Sequence, residues 1–349
     1  MTDVFEHRAF DGHEKVIFVS EPSVNLKGII AIHNTVLGPA AGGCRMYPYA
    51  TIDDALYDVL RLSRGMTMKN AAAGLPLGGG KCVVIADPGD ENKEALLRTM
   101  AKHVQDLGGH FWTAIDVGVS SRDVDIMAEE CDYMFARASD FEEDFQASEF
   151  TSLGGFHAVR AVAKYLRETD ELEGLRVAIQ GVGQTGYSLT GYLVEQGAEV
   201  IVTDVDPEAV DRAVNKYGVT SVDTDEIYNQ EVDIFSPCAM GGILNDQTIP
   251  QLKCAGIAGL ANNQLERKEH GQMLLERNIA YAPDFVANAG GVMGATMPIF
   301  SKPNKEASLK NVGGIYQTVL SILNLSKQEG IPTEVIAERM AMERINQST

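Results

Sequence analysis

With 349 residues, 45% of them hydrophobic and 22% charged, the chain is long enough for two domains, each burying a core of its own. Its 29 Lys and Arg against 49 Asp and Glu leave a net charge of -20, which repels nucleic acid and anionic lipid, so neither is expected as a partner. Five cysteines (Cys44, Cys82, Cys131, Cys238 and Cys254) lack CxxC spacing, which points to reduced thiols and to no metal site. There is no apolar run of about eighteen residues, and the N-terminal Met-Thr-Asp-Val-Phe-Glu-His-Arg has no leader-like apolar core, so the expected location is the cytoplasm.

Short apolar runs at Val16 to Val19 and Gly28 to Ile32, separated by polar turns, predict strands. At Thr51 a capping residue and an acidic first turn precede Ala55, Leu56, Val59, Leu60 and Leu62 at helical spacing, which predicts a helix running towards Gly65. A glycine-rich stretch to Gly80 leads into a strand from Cys82 to Ala86. A helix from about Glu91 to Leu107 then ends at Gly108-Gly109, and a strand from Phe111 to Ile115 leads into Asp116-Val117-Gly118. Residues 1–150 thus read as a mixed α/β domain. Residues 139–149 carry five carboxylates without a period and read as a solvated loop.

A helix from Thr151 to about Arg167 leads to the most informative stretch, residues 175–206. There the apolar run Val177 to Ile179 enters Gly181, Gly183 and Gly186 at GxGxxG spacing. Leu189, Tyr192 and Leu193 follow at helical spacing, then Val200 to Val202 and Asp204. Gly181 permits the tight turn, Gly183 lets backbone approach a pyrophosphate, and Gly186 lets helix pack on strand, while the helix N-terminus offers unpaired N–H groups. Asp204 is placed for ribose hydroxyls, and no Arg or Lys beside it would receive a 2'-phosphate, so the cofactor reading is NAD. Beyond it the pattern predicts a helix at Pro207 to Tyr217 and strands near Val219 to Val222 and Val232 to Ser236. A helix after Asn245, a strand near Gly256 to Leu260 and a helix near Gln264 to Arg277 complete a doubly wound domain over 151–290. Helices within 291–349 are expected to return to the first domain.

Lys69 and Lys81 stand amid Ala, Gly and Leu, where a lysine is either a snorkelling side chain or a partly desolvated amine able to act as a base. The surrounding motifs carry a resemblance. Leu-Gly-Pro-Ala-Ala-Gly-Gly-Cys-Arg-Met (37–46), Arg-Leu-Ser-Arg-Gly-Met-Thr-Met-Lys-Asn-Ala (61–71), Gly-Gly-Gly-Lys (78–81), Asp-Val-Gly (116–118), Ser-Pro-Cys-Ala (236–239), Ala-Asn-Asn-Gln-Leu (261–265) and Asn-Ala-Gly-Gly (288–291) together resemble the glutamate, leucine, phenylalanine and valine dehydrogenase family, closest to its leucine dehydrogenase-like branch.

The resemblance implies a substrate domain and an NAD-binding domain of Rossmann type with a cleft between them. It also implies oxidative deamination of an L-amino acid to a 2-oxo acid and ammonia, and a homo-oligomer of at least two copies. It makes Lys81 and Asp116 catalytic and sets Lys69 on the substrate carboxylate, with Ala41, Gly42, Gly43, Met66, Asn262, Val292 and Ala295 along the substrate. Thr151, Gly181, Gly183, Gly186, Asp204, Cys238, Ala239, Asn262 and Asn288 are assigned to the cofactor. Glutamate-specific members carry a lysine and a serine where this chain has Ala41 and Ala295, and leucine-specific ones carry leucine and valine, so a bulky apolar substrate, aliphatic or aromatic, is implied. Ile115 replaces a glutamate usual beside the catalytic aspartate in leucine dehydrogenases, and Gly-Gly-Ile-Leu-Asn (241–245) is similar to tryptophan-specific relatives. A silent NAD-binding module would not need Lys69, Lys81 and Asp116 together, and a 2-hydroxy-acid dehydrogenase would call for a catalytic histidine that the seven histidines do not supply.

Overall fold

The computed structural model describes residues 3–140, 147–300 and 305–348, which form two compact units. The first contains the described residues within Met1–Phe145, Ala295–Pro303 and Ala341–Thr349, the second those within Gln146–Gly294 and Asn304–Met340. Most of the acidic stretch expected as a loop, residues 141–146, lies outside the described residues.

The first unit opens with β1 (Lys15–Glu21), β2 (Leu26–Asn34), β3 (Ala40–Tyr47), α1 (Ile52–Ala72), β4 (Gly78–Ile85), α2 (Lys93–Gln105), β5 (Phe111–Ala114) and α3 (Ser121–Ala128). Its sheet runs β1-β2-β4-β3-β5, antiparallel from β1 to β4 and parallel from β4 to β5. Alternation decides which helix covers which face. Ile29, Ala31 and Val83 pack with Ala55, Leu56, Val59 and Leu60 of α1. Ile30, Ile32, Cys82 and Val84 face the other way, onto Leu96, Leu97, Met100 and Val104 of α2. Each fully buried Val, Leu, Ile or Met among them contributes about 1.5–3 kcal/mol.

Three local readings needed correction. α1 does not stop at Gly65 but runs on to Ala72, because nothing in the fold crowds Gly65 and a lone glycine weakens a helix without breaking it. β4 starts four residues earlier than the apolar run suggests, at Gly78. A side chain at Gly79 would strike Thr67 and Ser63 of α1, and one at Gly80 would strike the Phe111 ring of β5, so bare backbone is needed where these groups come down onto β4. α3 was not foreseen, although Ser120 and Asp123 form a capping box at its start that the sequence already spells.

The second unit contains α4 (Ala147–Arg167), β6 (Arg176–Gln180), α5 (Gln184–Glu195), β7 (Glu199–Thr203), α6 (Pro207–Tyr217), β8 (Thr220–Ser221), β9 (Ile234–Pro237), β10 (Gly256–Ile257), α7 (Glu269–Glu276), β11 (Ala280–Tyr281) and α8 (Asp284–Ala287). α9 (Gly290–Ala295), α10 (Met297–Phe300), α11 (Lys305–Glu329) and α12 (Thr333–Gln347) complete the chain. The sheet order β11-β10-β9-β6-β7-β8 is parallel throughout, and the chain reverses its direction of travel across the sheet between β6 and β9. That reversal is the place where doubly wound sheets hold ligands.

The expected helix after Asn245 is a single 3-10 turn, Ile249–Gln251, since Asn245 Oδ1 accepts the N–H groups of Gln247 and Thr248 and closes a turn instead. α7 begins at Glu269 rather than Gln264 because Leu265 bridges to Leu244 in extended conformation. The C-terminal helices divide differently from the expectation for 291–349. Among the described residues, α11 packs along α4 and, with 305–340, belongs to the second unit, while 295–300 and 341–348 belong to the first. In that last turn Arg344 donates to the carbonyls of Ala71, Gly74 and Leu75, satisfying the C-terminal end of α1.

Candidate active site

Three elements of the first unit bring charged groups together. β4 presents Lys81, only 4% exposed, on the face covered by α1. Asp116 follows β5 in a turn closed by Val119 N–H to its carbonyl, with Gly118 at φ 78. The Lys81 ammonium donates to Asp116 Oδ1 at 2.8 Å. Asp116 Oδ2 accepts from Arg45 Nε on β3 at 2.6 Å, and Arg45 Nη1 donates to Asp58 Oδ2 on α1 at 2.8 Å. Asp58 also accepts from the Tyr49 hydroxyl at 2.7 Å and from Arg61 Nη2 at 3.2 Å. Burial alone would raise Asp116, but Lys81 and then Arg45 outweigh it and hold the carboxyl below its ordinary range. Burial and then the hydrogen bond to Asp58 push the Tyr49 hydroxyl well up, so it stays protonated as a donor.

The two glycines of β3 are fixed by this arrangement. A side chain on Gly43 would strike the Ile115 carbonyl and Asp116 Cβ, and one on Gly42 would strike the Gly80 carbonyl and the Met66 side chain. Their bareness therefore lets Asp116 and α1 come down onto the sheet. Lys69 is half-buried on the last turn of α1, and the buried Asn70 next to it donates to Gly78 O at 2.6 Å while its Oδ1 has no partner. Ala41 is 0% exposed and Ala295 6%, both in the first unit. Arg45, Asp58, Tyr49 and Asn70 were not singled out from the sequence, although Arg45 and Asn70 lie within the quoted motifs.

In the second unit the glycine turn joins β6 to α5. Gly181 sits at φ 97, a left-handed conformation, where a side chain would strike Ala239. Gly186 lies against the Gly181 carbonyl and Cys238 Cβ. Gly183, the exposed N-cap of α5, has open space where a side chain would be, and no side chain caps the helix. Asp204 Oδ2 accepts the Val182 N–H at 2.7 Å and Oδ1 the Asp206 N–H at 3.0 Å, so this carboxylate also braces the turn it stands beside. An open cradle of backbone at a helix N-terminus with a carboxylate alongside fits a pyrophosphate and a ribose.

The loops after β9 and β10 meet through Leu260 and Ala261 N–H groups on the Pro237 carbonyl, which sets Cys238 and Ala239 beside the chain leading to Asn262. Asn262 Oδ1 accepts from Asn288 Nδ2 at 2.8 Å, pairing two residues 26 apart in sequence. Thr151 lies in the second turn of α4, whose next residue, Ser152, donates to Thr185 O at the start of α5. Val292 is half-buried on α9.

Asp246, Glu266 and His270 are the single group among the described residues spaced to hold a metal ion. Their bonds suit an ion-pair network better. His270 Nδ1 accepts the Arg267 N–H, which leaves the proton on Nε2 to face Asp246, and Arg267 pairs with Asp246 and Glu266.

A parallel 3-2-1-4-5-6 type sheet with this turn, in a chain whose other unit carries a buried lysine–aspartate pair, is the composition of a dinucleotide-linked dehydrogenase. Residues 13–133 match the dimerisation domain of the Glu/Leu/Phe/Val dehydrogenases, and residues 204–308 match the Glutamate/Leucine/Phenylalanine/Valine dehydrogenase family. The chain is 46% identical to leucine dehydrogenase of Geobacillus stearothermophilus over 98% of its length and 93% of the relative's. It is 44% identical to phenylalanine dehydrogenase of Thermoactinomyces intermedius over 100% of its length and 96% of the relative's. The solved L-tryptophan dehydrogenase of Nostoc punctiforme superposes with a TM-score of 0.86 at 41% identity, covering 97% of both chains. The chain belongs to the glutamate, leucine, phenylalanine and valine dehydrogenase family, in its leucine dehydrogenase-like branch, and is an NAD-dependent amino-acid dehydrogenase. No helix among the described residues is long and apolar enough to cross a membrane.

Proposed function

We propose that the chain converts a bulky apolar L-amino acid, leucine or a branched-chain relative, with NAD and water into the 2-oxo acid, ammonium, NADH and a proton. The observation that carries this reading is the buried Lys81–Asp116 pair, 2.8 Å apart, in a family of amino-acid dehydrogenases. Lys69 holds the substrate carboxylate, and its charge suits that task. Lys81 acts as the base once it has handed its own proton to Asp116 and become neutral; it then takes a proton from the substrate amine or from the water that attacks the imine, and the cations around Asp116 favour the return of that carboxyl to its anionic resting state. Gly181, Gly183, Gly186, Asp204, Cys238, Ala239 and Asn288 hold the cofactor, Thr151 and Asn262 its nicotinamide end. When bound, NAD supplies the hydride acceptor.

An aromatic amino acid is the second reading, favoured by the similarity to a phenylalanine dehydrogenase and an L-tryptophan dehydrogenase. NAD reduction measured against all twenty L-amino acids separates the two: leucine, isoleucine or valine first supports the main reading, phenylalanine or tryptophan first the second, and glutamate or alanine first overturns both. The match to a dimerisation domain supports a homo-oligomer of at least two copies, and the cytoplasm is its proposed location.

A further inference from the structure

We propose that Arg45, held by Asp58 and Tyr49, is a positioning residue that fixes the Asp116 carboxylate against Lys81 and keeps it an anion. The inference rests on the roles given to Lys81 and Asp116 above and adds a second charged layer behind them.

The two oxygens of Asp116 are used separately. Oδ1 receives Lys81 Nζ and Oδ2 receives Arg45 Nε, so a cation from each of two strands pins the carboxylate and prevents it from turning away. Arg45 in turn spends its outer edge on Asp58, which Tyr49 and Arg61 also grip. Lys81, Asp116, Arg45 and Asp58 thus alternate in sign from β4 to α1, with side chains 5%, 19%, 20% and 14% exposed. A guanidinium suits the third place because it stays charged in partial burial and its fork reaches two carboxylates at once, which an ammonium on a flexible stem does not. Without that charge, two partly buried carboxylates would face each other across the gap. The ionisable groups around Asp116 are Arg45 and Cys44 from β3 and Lys81 from β4, with Asp58 and Arg61 from α1 and Tyr49 behind Arg45. Arg45 and Lys81 are the cations in direct contact with Asp116 in this set.

The test is steady-state deamination by the full-length enzyme across pH for Arg45→Gln and Arg45→Lys, with NADH binding by fluorescence and thermal melting on each. For Arg45→Gln, kcat should fall at least about tenfold while KM for the amino acid changes less than about threefold. The acid limb of the kcat/KM profile should move up by about one pH unit, because Asp116 has lost one of two cations. Arg45→Lys should return the acid limb close to its original position but leave kcat at least about threefold low, since charge is restored without the fork. NADH binding should be unchanged in both. An unmoved acid limb in a folded Arg45→Gln, or equal impairment and equal profiles in both variants, would make Arg45 merely structural and overturn the proposal. Should Arg45→Gln fail to fold, Arg45→Lys decides alone: wild-type kcat overturns the proposal, and a lowered kcat with KM held supports it. Asp116→Asn and Lys81→Ala serve as controls for the underlying reading. If either keeps turnover within about tenfold, that reading fails. If both collapse while the Arg45 variants behave as wild type, only the role of Arg45 fails.

Discussion

In the first unit the candidate chemistry is carried by side chains, Lys81, Asp116, Arg45 and Asp58, each tied to the next at 2.6 to 2.8 Å. In the second it is carried by the absence of side chains, which gives close backbone packing at Gly181 and Gly186 and open space at Gly183. A network of charges fails when any member is removed, because a buried partner is left uncompensated. A glycine turn fails when anything is added, and how it fails depends on whether the added atoms meet protein or meet ligand.

The largest test of this contrast is Lys81→Ala. Turnover should fall at least about 100-fold, the scale on which positioned acid–base groups act, while NADH binding measured by fluorescence stays as it was, Lys81 and the glycine turn being in different units. Loss of both together would mean that the functions are not divided as proposed. The glycines come next, and two of them should part company. Gly183→Ala adds a methyl where no protein atom lies within 4 Å, so stability should drop by at most about 1 kcal/mol from the poorer helix cap. NAD affinity should nevertheless fall at least about tenfold, as the pyrophosphate loses its close approach. Gly186→Ala puts its methyl onto the Gly181 carbonyl and should destabilise the folded chain itself by about 1–3 kcal/mol. Calorimetric binding and melting on both variants would show whether the two positions really differ; equal behaviour would remove the distinction.

How much of this was legible in the sequence follows the same line. The second unit was readable because its information is local. Gly181 to Gly186 and Asp204 lie on one short stretch, and apolar runs give a parallel sheet regardless of what packs on it. Even there, Asp204, proposed to meet the ribose, turned out to hold the Val182 N–H, a contact no spacing rule predicts. In the first unit Lys81 and Asp116 stood out by their surroundings and by the family resemblance. Their partners did not: Arg45 lies 71 residues from Asp116 and 13 from Asp58, and only the parallel pairing of β3 with β4 puts them on one face. Ala41 is a similar case. The sequence suggests vacated volume at this position, whereas the fold leaves Ala41 no exposed surface, so neighbouring groups occupy the space around it.

Titration offers a subtler comparison, since a buried histidine of the first unit and a buried carboxyl of the second pull stability in opposite directions with pH. His33, buried between β2 and α1, is lowered from 6.5 to about 4, chiefly by burial. The unfolded chain therefore binds the proton first, and stability is lost as pH falls from about 6.5 towards 4. Glu334 at the start of α12 has both carboxylate oxygens buried without a partner and is raised from 4.5 to about 7, again chiefly by burial. Here the folded chain binds the proton first, so its contribution is present below about 4.5 and lost as pH rises through about 7. Glu334→Gln should accordingly stabilise the protein at pH 8 by roughly 1–2 kcal/mol and have little effect at pH 5. Melting curves at the two pH values check this, and equal effects at both would mean that the carboxyl titrates normally.

The smallest expected effect concerns the residue at which the sequence reading ended α1 too soon. Gly65 lies mid-helix, exposed, and a side chain there would meet nothing within 4 Å. A glycine in such a place weakens the helix only through the freedom it gives the unfolded chain, so Gly65→Ala should raise stability by about 0.5–1 kcal/mol. The gain would stiffen the helix one turn before Lys69, the group proposed to hold the substrate carboxylate. If Gly65 is only a leftover of low helix propensity, the variant should melt higher with kcat and KM unchanged. If it melts higher but turns over more slowly, the flexibility of α1 is part of the reaction cycle, and stability has been given up there for motion. If it melts lower, something outside this single chain occupies the space beside Gly65, and gel filtration of the variant should then show a changed assembly.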